Sequence, residues 1–144
     1  MIDLDNQTAL YFDIEALETI ASKLTTQEVE LLIVDNTTMQ ALNSQHRGKA
    51  SSTDVLSFPM NHAFTEVIPN MPLGSIVIAA EYVETKAVEF GHSIQDEISL
   101  LFIHGLLHLL GFDHEVDNGV MRAKEKELII AFDLPKSLII RTGE

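Results

Sequence analysis

The sequence has no cysteine, which excludes a disulfide framework and any thiolate metal site and gives no reason to expect an oxidising compartment. Positive charge is also scarce: 9 Lys and Arg stand against 22 Asp and Glu, for a formal net charge of -13. Such a surface repels polyanions in general, so any contact with nucleic acid has to be local. Two small basic groups are available, Arg47 with Lys49 and Arg122 with Lys124 and Lys126, and a solvated surface is the plain reading of both. No apolar run approaches the roughly eighteen residues of a membrane span. The opening MIDLDNQTALYFDIE is acidic where a secretory signal would be basic, so a cytoplasmic protein with no membrane contact is expected.

What is present suits one globular domain over residues 1–144: 46% of the chain is hydrophobic and 22% charged, enough to build a core and still cover it. Ile2 to Asn6 is β-prone. Phe12 to Leu24 places Phe12, Leu17, Ile20, Ala21 and Leu24 at near-helical spacing. Val29 to Val34 reads as a strand buried on both faces, and Asp35, Asn36 and Thr37 offer caps for a helix from about Thr38 to near His46. Ser51 to Thr53 is a polar connector into a strand, Asp54 to Phe58, closed by Pro59. Met60 to Leu73 holds prolines and asparagines without a clear period, which predicts an irregular loop. A strand from Ser75 to Ala79 follows, then a helix from Ala80 to Phe90 that stops at Gly91. Ser93 and Asp96 form a capping box for a helix from Ile94 to Leu110 whose apolar residues cover nearly its whole circumference. A last helix, Val120 to Phe132, capped by Asp117 or Asn118, alternates acidic and basic residues as a solvated face does, with Met121 as a packing residue.

The chemistry concentrates in HGLLHLLGFDH, from His104 to His114. His104 and His108 lie four apart, hence on one helix face, one turn above the other. Gly111 sits where a helix can end in a left-handed residue, after which the chain turns back and delivers His114. Three neutral imidazoles with a fourth position left for water are what a catalytic zinc requires. The spacing is that of the metzincin proteases, with one departure: their general-base glutamate follows the first histidine, and here Gly105 stands in its place. Asp113, beside His114, is a candidate acceptor for a ligand's N–H, and capping the turn after Gly111 accounts for it equally well.

Together with STDVLSFP (Ser52 to Pro59) and LGSIVIA (Leu73 to Ala79), this motif resembles the YbeY family of bacterial metal-dependent endoribonucleases, over about Val29 to Leu128. The resemblance implies an α+β fold, a mixed four-stranded sheet with about five helices, around a metzincin-like site for one zinc held by His104, His108 and His114. It implies Arg47 as the functional arginine ahead of TDVLSFP, and so a catalytic set of Arg47, His104, His108 and His114. It also implies cleavage of single-stranded RNA, in maturation of the 3′ end of small-subunit ribosomal RNA and in ribosome quality control. RNA is then the substrate rather than DNA, and ribosomal proteins or a ribosome-assembly GTPase are the partners to expect. Two positions depart from the family pattern. Ser75 stands where an aspartate is usual, removing a carboxylate expected near the site, and Phe112 stands where tyrosine is common, removing a hydroxyl.

Chemically, a zinc-bound water of lowered pKa needs no neighbouring glutamate, so Gly105 is tolerable, and a guanidinium at Arg47 would stabilise charge on phosphoryl oxygens. Attack by the RNA's own 2′-hydroxyl is equally compatible with these residues. Two other classes of function stay open at this point. One is a metallohydrolase acting on a non-RNA substrate; the other is a ribosome-assembly factor whose zinc is mainly structural and whose acidic surface attracts basic proteins.

Overall fold

Five of the six residues in Val29–Val34 are apolar, so this segment needs cover on both faces and a partner on both edges. In the computed structural model it has both. The structure describes residues 1–47, 53–59, 72–112 and 119–135, without the side chains of 46 and 47. Four strands, β1 (Ile2–Asn6), β2 (Val29–Val34), β3 (Val55–Pro59) and β4 (Gly74–Ala79), form one sheet in the order β1-β2-β4-β3. β2 runs parallel to both of its neighbours, and β3 lies antiparallel to β4. The mixed α+β architecture that the family resemblance implies is the one observed.

Parallel neighbours need a crossover, and α1 (Ile14–Leu24) supplies it between β1 and β2. It starts two residues later than its apolar pattern suggests, because the Asp13 carboxylate accepts the Glu15 N–H and caps the helix there. α2 (Asn36–Arg47) follows β2, with Asp35 accepting the Thr38 N–H at 2.7 Å as its N-cap. Of the three capping candidates the first is used, so α2 starts two residues before the expected Thr38. α3 (Ala80–Phe90) ends at Gly91 in the left-handed conformation, as its position predicts. α4 (Ile94–Leu109) begins at Ser93, whose hydroxyl accepts the Asp96 N–H. The turn between them is tied by a 2.7 Å hydrogen bond between His92 Nε2 and the fully buried Glu97 carboxylate. α5 (Val120–Phe132) ends where Asp133 turns left-handed. The expected connector at 51–53 and loop at 60–73 fall largely outside the described residues, as do the capping positions 117 and 118.

The sheet separates two clusters of buried side chains. Ile2, Leu31, Ile33, Ile76 and Ile78 point to one face, where they meet Leu17 and Ile20 of α1, Ile98, Leu101, Phe102 and Leu106 of α4, and Met121 and Leu128 of α5. Leu56, Val77 and Ala79 point to the other, where Met39 of α2 covers them. This alternation is the period of two that a strand imposes. α4 is enclosed almost all round: from Glu97 to Leu107 every residue is buried. That enclosure gives the site a rigid base.

Candidate functional site

α4 comes close enough to the sheet to touch it backbone to side chain. Gly105 makes this possible, since a Cβ there would lie 2.9 Å from Ile76 Cγ2 and 3.1 Å from Ser57 Oγ. The Ser57 hydroxyl uses that closeness to donate to the Gly105 carbonyl at 3.0 Å, locking β3 to the helix. The missing glutamate of the protease pattern therefore has a packing cause. Position 105 faces β4, and a longer side chain would be driven into Ile76 instead of toward the histidines.

One residue before Gly105, His104 is 8% exposed; one turn later, His108 is partly exposed. Their rings stand nearly perpendicular, at 79°, with centroids 4.7 Å apart. Each Nδ1 has an oxygen beside it. His104 Nδ1 lies 2.7 Å from Glu125 Oε2, and His108 Nδ1 lies 3.0 Å from the Phe112 carbonyl. A carbonyl can only accept, so His108 carries its proton on Nδ1; a carboxylate acceptor assigns the same tautomer to His104. Both Nε2 lone pairs then converge on a shared space, 3.2 Å apart. Two nitrogens bound to one tetrahedral zinc at about 2.0 to 2.1 Å would be separated by about 3.3 Å. The pair fits that ion.

The glycine stop has a second consequence. Gly111, at φ 99°, closes α4 with the Phe112 N–H donating to the Leu107 carbonyl and the Gly111 N–H to the His108 carbonyl. This six-to-one and five-to-two pattern is a Schellman turn, and it carries the Phe112 carbonyl back over His108. The contact uses backbone, so replacing tyrosine by phenylalanine at 112 leaves it intact.

Of the residues singled out in the sequence, His104 and His108 are brought together. His114 and Asp113 lie outside the described residues. Arg47 ends α2, on the opposite face of the sheet from α4, and its side chain is likewise outside them. Among the described residues, no group of three His, Asp or Glu side chains converges as a complete ligand set. Arg122 and Lys126 are exposed, and Lys124 pairs with Glu127 at 3.3 Å on the surface.

Two positions need placing. Ser75, where the family pattern has a carboxylate, points away from α4 and its two histidines. Its neighbour Ile76 meets Gly105, so Ser75 faces the other side, where its hydroxyl donates to Glu30 at 3.1 Å. A carboxylate is present on that face, supplied by the adjacent strand. Second, α5 is not solvated throughout its charged stretch, since Glu125 is 2% exposed and bonded to His104. The alternating charges concealed it. Met121, Glu125 and Leu128 form one helical stripe whose apolar members are both buried, so a carboxylate on that stripe was the available sign.

The fold and these contacts define a class: an α+β domain that presents two anchored imidazoles from a buried helix to a single point. The family model described as Endoribonuclease YbeY matches residues 4–133. A Sulfurovum protein named Endoribonuclease YbeY is 58% identical over 142 residues, covering 98% of this chain and 97% of its own. One of the same name from Nautilia profundicola is 55% identical over 144 residues, with 100% of both chains covered. The solution structure of a Thermotoga maritima protein superposes with a TM-score of 0.59 at 27% identity, covering 92% of this chain and 89% of that one. The chain belongs to the YbeY endoribonuclease family.

Proposed function

We propose that the chain is a zinc-dependent endoribonuclease that cuts single-stranded RNA, acting in the cytoplasm on the 3′ end of small-subunit ribosomal RNA and in ribosome quality control. The observation that carries the metal is the convergence of the His104 and His108 Nε2 atoms at 3.2 Å, each ring held from behind at Nδ1. His114 would complete the nitrogen set. A zinc ion held there supplies a Lewis acid for phosphoryl oxygens and lowers the pKa of water. The RNA substrate is supported by the shared name of close relatives.

The chain's own residues have separable tasks. The three histidines hold and orient the metal, and α4 keeps two of them in place because it is buried nearly all round. Arg47, with a planar guanidinium suited to two phosphoryl oxygens at once, would bind the scissile phosphate and stabilise its developing charge. Gly105 faces β4 and provides no base, which weighs against a peptide hydrolase built on the metzincin scheme.

The net charge of -13 favours a second reading, an assembly factor that docks basic ribosomal proteins or an assembly GTPase and uses zinc structurally. Zinc content and cleavage of a single-stranded RNA, measured together on the parent, His108→Ala and Arg47→Ala proteins, separate the two. The proposal expects near one zinc per parent chain, loss of both metal and cleavage in His108→Ala, and loss of cleavage alone in Arg47→Ala. Stoichiometric zinc with no metal-dependent cleavage in the parent would transfer the assignment to the assembly factor.

A further inference from the structure

Glu125 sits on the inward stripe of α5, between Met121 and Leu128, which are 0% and 1% exposed. A buried carboxylate at such a position is costly unless it is hydrogen-bonded. Packing alone would therefore favour leucine. The carboxylate is instead aimed at His104 Nδ1, 21 residues away in sequence, at 2.7 Å.

We infer that Glu125 is a positioning residue for the metal site: it fixes the tautomer and ring orientation of His104 and so sets the affinity for zinc. This rests on the proposed zinc reading. An imidazole without a partner at Nδ1 can carry its proton on either nitrogen and can flip by about 180° about its Cβ–Cγ bond, putting a ring carbon where each nitrogen was. With a carboxylate accepting from Nδ1, only the orientation with the lone pair on Nε2 is favoured, and that nitrogen becomes a stronger donor. The two histidines are anchored unequally. His108 leans on a neutral carbonyl supplied by the turn that ends its own helix, whereas His104 depends on a charged group delivered by a different one. Docking of α5, through Met121 and Leu128, thereby becomes part of metal binding.

The test compares zinc dissociation constants, by competition with a chromophoric chelator, for the full-length parent, Glu125→Gln and Glu125→Leu, alongside thermal unfolding of the metal-free proteins. The inference expects zinc affinity to fall about 10- to 100-fold, less in Glu125→Gln, which keeps an oxygen acceptor, than in Glu125→Leu. Metal-free Glu125→Gln, which still offers His104 an oxygen acceptor, should unfold close to the parent while its zinc affinity falls, a separation that a merely structural glutamate would not produce. Parent-like zinc affinity in Glu125→Leu would overturn the positioning role and leave the zinc reading standing. Failure of the parent itself to bind zinc would overturn both. Should the variants not fold, nitrogen NMR of the unsubstituted metal-free chain decides: a proton on His104 Nδ1 supports the inference, and a proton on Nε2 overturns it.

Discussion

Gly105→Ala sets two opposing effects against each other in one substitution. At an ordinary helix-interior position, alanine is favoured over glycine by about 1 kcal/mol. At 105 the added methyl would stand 2.9 Å from Ile76 Cγ2 and 3.1 Å from Ser57 Oγ, where carbon atoms pack best at about 3.5 to 4.0 Å. Ile76 cannot make room cheaply. It is fully buried on β4, one of the two inner strands, and its β-branched side chain is stiff at χ1. Relief has to come from moving α4 away from the sheet by several tenths of an ångström. Overpacking of this kind costs about 1 to 3 kcal/mol. Less the helix gain, the net destabilisation is about 0 to 2 kcal/mol, which for a chain of this size lowers the melting temperature by about 3 °C at the centre of that range. Because His104 is the adjacent residue, zinc affinity should fall as well. Thermal unfolding in chelator and in saturating zinc measures both. A variant that melts about 3 °C above the parent, with unchanged zinc affinity, would show that helix propensity governs the position and that the contact with Ile76 is slack.

Ser57→Ala removes the hydroxyl that joins β3 to the Gly105 carbonyl, and urea unfolding should report a loss of about 0.5 to 1.5 kcal/mol; no loss would mean the bond contributes nothing. Asp35, the N-cap of α2, has its carboxyl held below the usual range by the Thr38 backbone N–H and then by the Thr38 hydroxyl. A lowered folded-state pKa gives stability that is complete above the ordinary aspartate value, about 3.9, and is lost as pH falls through the folded value. The stability gap between the parent and Asp35→Asn should therefore narrow in acid unfolding below about pH 4, and a gap constant down to about pH 3 would refute the assignment.

Much of the fold was legible because the sequence changes period cleanly. β1, β2, α3 and α5 occupy the ranges their patterns predict, and Gly111 ends α4 by the expected left-handed turn. The histidine pair was equally readable, since a spacing of four on a helix fixes a shared face before any tertiary contact is known. What escaped depended on neighbours distant in sequence. Glu125 looked solvated among Lys124, Lys126 and Glu127, and only the docking of α5 turned it inward. The side of the sheet on which Ser75 lies could not be read, because the face a strand residue occupies depends on its register with β2 and β3. Gly105 was read as the absence of a base, and the reason for it, the nearness of Ile76, belongs to packing.

Ser75 and Ile76 are adjacent in the chain yet belong to opposite sides of a bulkhead. Side-chain exchange at Ser75 or Glu30 acts on a compartment that His104 and His108 do not share, so it should leave that pair undisturbed. Changes of length are another matter. Inserting or deleting one residue within β4 would exchange the two compartments, bringing residues such as Ser75 and Val77 against α4 and sending Ile76 and Ile78 toward α2. This strand can therefore tolerate drift in composition while remaining intolerant of any shift in frame.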